Sequence, residues 1–294
     1  MIPARVAFTA VVAVFILMTL GNVVSATGSG LACPDWPLCH GSLIPPIRPD
    51  VLVEYGHRLA ALAASVLIVA TTAVTLARTR TPGLRRLAWL VPGLLLVQVA
   101  LGGITVLLKL PHLISTAHLI NALLILAALI ILGLGLRGAA AAPAGRAGRL
   151  ARVGLIVLLV QLALGGYVRH SGAGLACPDF PLCSGDVLPA GWLPTVHWIH
   201  RWLGVLLLGL FVHLARAART TASRLAAGLG VLQVCLGIAT VLLQLTPMAR
   251  AAHAAVGYAL WAALVWVSTE AGCWRGLMEP TARPEPSRSA VHAT

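Results

Sequence analysis

Long apolar runs separated by short polar breaks dominate the chain from end to end. Runs of about 20 apolar residues, the length a helix needs to cross a hydrocarbon core, fall at roughly 6–25, 51–77, 87–108, 113–136, 150–168, 195–215, 224–245 and 249–270. They predict an all-α integral membrane protein of eight transmembrane helices. With 59% apolar and only 10% charged residues over 294 positions, two ordinary soluble domains are excluded.

The polar breaks set an orientation. Arg78, Arg80, Arg85 and Arg86 follow the second run; Arg137, Arg146, Arg149 and Arg152 surround the middle of the chain; Arg216, Arg219 and Arg224 follow the sixth. With Arg5, Arg275, Arg283 and Arg288 they make fifteen of the twenty-one basic residues, all on one side. Basic residues cluster in cytoplasmic loops, so both termini are expected in the cytoplasm. The net charge of +13 therefore points to membrane topology and not to nucleic acid. Five of the eight acids (Asp35, Asp50, Glu54, Asp179 and Asp186) fall in or beside the opposite loops.

One polar pattern occurs twice. GSGLACPDWPLCHG at 28–41 returns as GAGLACPDFPLCSG at 172–185, with eleven of fourteen positions unchanged. EYGHRLAAL at 54–62 pairs with HWIHRWLGV at 197–205, VQVALGGITVLL at 97–108 with LQVCLGIATVLL at 232–243, and STAHLINAL at 115–123 with RAAHAAVGY at 250–258. The spacing between copies drifts from 144 to 143 to 135, as expected when only loops change length. This predicts two tandem, pseudo-twofold-related four-helix bundles, at 1–137 and 150–273, with a linker at 138–149 and a disordered tail at 274–294. Four helices is an even number, so both repeats insert the same way and their axis runs along the membrane normal. VVSAT after the first run could pass for a signal-peptide cleavage site, but helix 1 has an internal counterpart in helix 5 and is kept.

Each repeated loop holds two cysteines, Cys33 with Cys39 and Cys177 with Cys183, on the expected non-cytoplasmic side, where disulfides persist. A Pro- and Gly-rich loop of this length can bring the Cα atoms within disulfide range. Zinc fits less well, because only the first loop has a nearby imidazole, His40, replaced by Ser184 in the copy. A structural staple and a redox-active pair both remain open. Cys235 and Cys273 are expected to be free.

Four histidines lie inside spans: His57 and His118, then His200 and His253. Ionisable groups inside spans point to function. Pro49, Pro111, Pro194 and Pro247 precede them by 8, 7, 6 and 6 residues. Proline favours the first helical turn, which puts each histidine roughly 9–12 Å into its helix at 1.5 Å per residue. Two imidazoles at one level in a four-helix unit suit the axial positions of a heme iron. Zinc would need further ligands in each half, and the sequence supplies no matched ones: His213 has no counterpart in the second helix, and His112 and His170 are interfacial. Arg58 and Arg201 follow the first histidine of each half and could meet heme propionates or simply snorkel. The halves differ three residues before that histidine, with Glu54 in one and His197 in the other. The i, i+3 spacing puts Glu54 on the face of His57, as a group acting on one heme or as a carboxylate at a helix N-terminus.

In these motifs the chain resembles the heme A synthase family, membrane enzymes that convert heme O to heme A for terminal oxidases. The resemblance runs over roughly 8–270 and includes both Cys loops, EYGHR, STAHL, HWIHR and RAAHA in order. It implies oxidation of a porphyrin methyl to a formyl group by successive hydroxylations, the last giving a hydrate that loses water. It also implies His57 and His118 as ligands of the substrate heme iron, Glu54 as the essential acid, and His200 and His253 as ligands of a heme b. Cys33–Cys39 resembles the family's outer disulfide. One departure is visible: the first copy reads VVSATG, so Ser25 stands where YVRHSG has Arg169. Implied partners are heme O synthase as substrate donor, an electron acceptor from outside the chain and membrane lipid, in a bacterial cell membrane, with a homo-oligomer left open. A diheme electron-transfer cytochrome b is the alternative. Four histidines at one depth argue against it as a transmembrane wire, and a heme carrier would leave the Glu54/His197 difference unexplained.

Overall fold

The structure, a computed structural model, describes residues 2–138 and 145–279. Eight long helices carry the fold: α1 (Ile2–Ala26), α2 (Pro49–Arg78), α3 (Pro82–Leu107), α4 (His112–Leu136), α5 (Arg146–His170), α6 (Trp192–Ala218), α7 (Thr221–Leu242) and α8 (Pro247–Glu270), followed by one short turn, α9 (Arg275–Met278). All eight are long and apolar enough to cross a membrane. The chain is a multi-pass membrane protein. Residues 139–144 of the expected linker and 280–294 of the expected tail lie outside the described residues.

The helices begin a few residues earlier than the apolar runs because their first turns are polar. Arg85 and Arg86, expected in a loop, lie inside α3, and Arg149 and Arg152 lie inside α5. Proline sets several starts. Pro49 and Pro247 are first residues, Pro194 is third in α6, and Pro111 caps α4. The short turn into α7 closes with a capping box, in which the Thr220 hydroxyl accepts from the Ser223 N–H and the Ser223 hydroxyl accepts from the Thr220 N–H, each at 3.1 Å.

Packing follows the same cycle twice. Helix α1 packs on α2, α2 on α3, α3 on α4, and α4 back on α1; α5 through α8 close a second ring in the same order. The rings meet through α1 on α8, α4 on α5, and α4 on α8. Helix α4 is buried nearly all round, and Leu123, Leu126, Leu129 and Leu132 are among the most enclosed side chains. Across the seam the Trp261 indole N–H donates to the Leu123 carbonyl at 2.8 Å. The outer faces carry exposed apolar residues such as Val66, Leu96 and Ile156, which suit lipid.

Both Cys loops lie at one end, between α1 and α2 and between α5 and α6. Cys33 is bonded to Cys39 with Cα atoms 4.7 Å apart, and Cys177 to Cys183 with 4.4 Å. Cys235 and Cys273 are free. Each loop is wound around an aspartate. Asp35 accepts from the His40 and Gly41 amides at 2.6 and 2.7 Å, and Asp179 from the Ser184 and Gly185 amides at 2.6 and 2.9 Å. The turn requires two successive left-handed residues, which is why glycine follows His40 (φ 54°) and Ser184 (φ 56°). These amide bonds, Gly41 first for Asp35 and Gly185 first for Asp179, hold both carboxyls below their ordinary value.

Candidate functional site

A cavity of about 1020 Å³ reaches into both rings, and all four expected histidines line it, together with Glu54, Arg58, Arg201 and His197. Each imidazole leans on a glycine of the preceding helix. A Cβ added at Gly21 would lie 2.9 Å from His57 Cε1, one at Gly102 3.3 Å from His118, one at Gly165 2.8 Å from His200, and one at Gly237 3.1 Å from His253. In every case Cε1 is the ring atom nearest that glycine, with Nδ1 the next nearest. All four Nδ1 atoms are buried with no hydrogen-bond partner.

The rings of His200 and His253 stand 6.4 Å apart between centroids at an interplanar angle of 84°. With metal–imidazole bonds of ~2 Å, both rings can reach one metal atom lying between them. Among the described residues no group of three or more His, Cys, Asp or Glu side chains converges as a metal site, so the donors on offer here are these two imidazoles. This donor set fits a heme iron with two axial histidines and does not fit a tetrahedral zinc site.

Glu54 is 3% exposed and bound at both oxygens. It accepts from the Cys33 N–H at 2.8 Å and from Arg58 at 2.6 Å. Arg58 also donates to the Asp35, Leu38 and Cys33 carbonyls at 2.8, 2.6 and 3.1 Å, so four of its five N–H groups clamp the disulfide loop or its carboxylate partner. The second half repeats the design. Arg201 donates to the carbonyls of Asp179 (2.6 Å), Leu182 (3.1 Å) and Cys177, and its Nε–H approaches His197 Nε2 at 3.2 Å. His197 occupies the Glu54 place, with Nδ1 3.4 Å from the Cys177 N–H. A neutral imidazole has one acceptor nitrogen, so His197 satisfies one of two donors where Glu54 satisfies both. The two arginines sequence reasoning linked to propionates are thus mainly loop clamps, each with one N–H to spare.

A family model described as cytochrome oxidase assembly protein, COX15-CtaA, matches residues 4–265. The chain belongs to the COX15-CtaA family. Similar curated proteins of this family carry the name heme A synthase. The one from Symbiobacterium thermophilum is 32% identical over 230 residues, covering 72% of this chain and 74% of its own. The one from Exiguobacterium sibiricum is 34% identical over 211 residues (67% and 69%), and that from Bacillus pumilus 30% over 227 (71% and 74%).

Within this COX15-CtaA chain, sequence reasoning missed several groups that shape the site. The four glycines are one set; Gly21 and Gly165, and Gly102 and Gly237, stand at matched positions of the repeat. Gln98 and Gln233 are another, each set against a histidine Nε2, at 3.1 and 3.5 Å. Their signal was the shared Gln and Gly in VQVALGG and LQVCLGI, read only as marks of duplication. Trp36 of the first loop covers Gly103, where an added Cβ would lie 3.1 Å from the indole. At the matching places the second half has Phe180 and Ile238, a smaller ring beside a larger helix residue.

Proposed function

We propose that residues 1–137 of this heme A synthase family member hold heme O as substrate between His57 and His118, and that residues 150–273 hold a heme b between His200 and His253. The observation that carries the reading is the single cavity lined by two imidazole pairs on glycine seats, with a buried carboxylate beside only one pair. The reaction is an oxidation of heme O, taking a methyl group to a formyl group through hydroxylations and loss of water. When bound, heme b supplies a one-electron redox centre.

The chain's own residues do the rest. His57 and His118 seat the substrate, and Glu54 lies one turn from His57 on the same face. Arg58 and the Cys33 amide fix the carboxylate in place, so it meets a water or a developing positive charge without reorganising. The Cys33–Cys39 loop, held down by Arg58 and by Trp36 over Gly103, closes that end of the cavity against bulk water. In the second half an uncharged imidazole replaces the carboxylate, which suits a site that retains its heme unaltered.

Heme O synthase is the fitting substrate donor, and the electron acceptor must come from outside the chain. The clustering of basic residues at the end opposite the disulfides supports a cell-membrane orientation with both termini cytoplasmic. A diheme electron-transfer cytochrome is not favoured, since the curated relatives are named for heme A synthesis. The test is chromatography of hemes extracted from cells that make heme O. Wild type yields heme A. His57→Ala and His118→Ala yield none while keeping a bis-histidine heme b spectrum, and heme A at wild-type level in either variant refutes the assignment.

A further inference from the structure

His118 and His253 match in the repeat but are held differently. The Asn121 Nδ2 donates to the Leu94 carbonyl at 2.9 Å and to Gln98 Oε1 at 2.8 Å, and Gln98 Nε2 stands 3.1 Å from His118 Nε2. These contacts run in one direction only. A backbone carbonyl can only accept, so Asn121 must turn its nitrogen towards Leu94. The same nitrogen reaches Gln98 Oε1 and thereby orients the second amide. The Gln98 nitrogen then faces the imidazole and donates, which makes His118 Nε2 the acceptor that carries the lone pair. The ring hydrogen belongs on Nδ1, which has no partner.

The second half lacks this pin. Val256 stands at the Asn121 place, Gln233 Oε1 is buried without a partner, and Gln233 Nε2 is 3.5 Å from His253 Nε2.

One lone pair cannot serve an N–H donor and an iron atom together. Coordination by His118 therefore displaces a donor held in a fixed network, whereas His253 gives up only a long contact. A substrate must leave after turnover and a resident cofactor must not. We propose that Gln98 and Asn121 form a hydrogen-bonded latch that competes with iron for His118 and makes the heme of the first half exchangeable. The proposal rests on the assignment of the first half to the substrate. Both residues are positioning residues acting through His118.

The test is a transfer assay on the purified full-length protein loaded with heme O. Heme O is followed by chromatography as it passes to an excess of apo-globin, so heme b in the second half does not interfere. Gln98→Leu and Asn121→Val, the latter copying the second half, are expected to release heme O roughly three- to tenfold more slowly, the range for losing one competing hydrogen bond. Damage to packing would loosen the heme, so slower release is a signature that a structural role does not produce. Release at or above the wild-type rate in both variants overturns the latch. His118→Ala is expected to release heme O faster than wild type. An unchanged rate there overturns the site assignment itself, which separates the two failures.

Discussion

Arg169 Nε–H donates to the Ser25 hydroxyl at 3.0 Å, and these two residues hold the same place in the two copies of the repeat. Arg169 also donates to the Asn22 carbonyl at 2.9 Å, which ties the end of α5 to the end of α1. Positions that match in sequence and touch in space lie close to the line relating the halves. An arginine in both copies would set two like charges against each other there. Serine in the first copy supplies an acceptor instead. Ser25→Ala should cost about 1 kcal/mol, a fall of about 2–4 °C in the detergent melting temperature. Ser25→Arg should fall further, and equal melting of the two variants would show that charge at this contact is immaterial.

The glycine seats give a half-specific prediction. Gly21→Ala brings a methyl 2.9 Å from His57 Cε1, and Gly165→Ala brings one 2.8 Å from His200 Cε1. At these distances each ring must shift from its seat. Gly165→Ala should lose bound heme b with the first half intact, and Gly21→Ala should lose heme O binding and keep heme b. Heme-to-protein ratios by extraction check both; loss of the wrong heme would reverse the assignment of the halves.

Glu54→Gln keeps an acceptor for the Cys33 amide and removes the charge opposite Arg58. If the carboxylate acts on water or charge beside the substrate, heme A formation drops at least about a hundredfold while heme O binding survives. Product analysis from cells supplied with heme O reads this directly, with heme O or an alcohol intermediate accumulating. Near-normal heme A would reduce Glu54 to a loop anchor.

Only two thiols, Cys235 and Cys273, should alkylate in the unreduced, denatured protein. Mass spectrometry counts them. Cys33→Ser with Cys39→Ser should cost about 2–3 kcal/mol by the loop-closure relation. It should also loosen the clamp on Glu54, so heme A formation falls further than that stability loss requires.

The loop aspartates make a pH prediction. Their folded values are lowered from 3.8 by the Gly41 and Gly185 amides first, so their contribution is complete above about that value and is lost as pH falls through the lower folded one. Hydrogen exchange of the His40 and Gly41 amides should accelerate in that acid window beyond the intrinsic rate. Asp35→Asn should show the same loosened loop at neutral pH. Protection unchanged by the substitution would mean the turn stands without its carboxylate.

The eight spans, the duplication and the four histidines were legible in the sequence because each rests on local chemistry. Apolar length sets a span, proline sets a helix start, and copied motifs need no neighbours to be recognised. What faces what could not be read that way. Arg58 and Arg201 looked free for a ligand until the structure closed the Cys loops over them, since loop carbonyls leave no mark on the sequence. Glycines 21, 102, 165 and 237 looked like ordinary small residues of membrane helices, and only the approach of a neighbouring helix made each of them a histidine seat. The sequence determined which residues come in pairs. Helix packing decided that Ser25 meets Arg169, that Asn121 reaches Gln98, and that Val256 does not do the same for Gln233, because such contacts depend on distances between segments far apart along the chain.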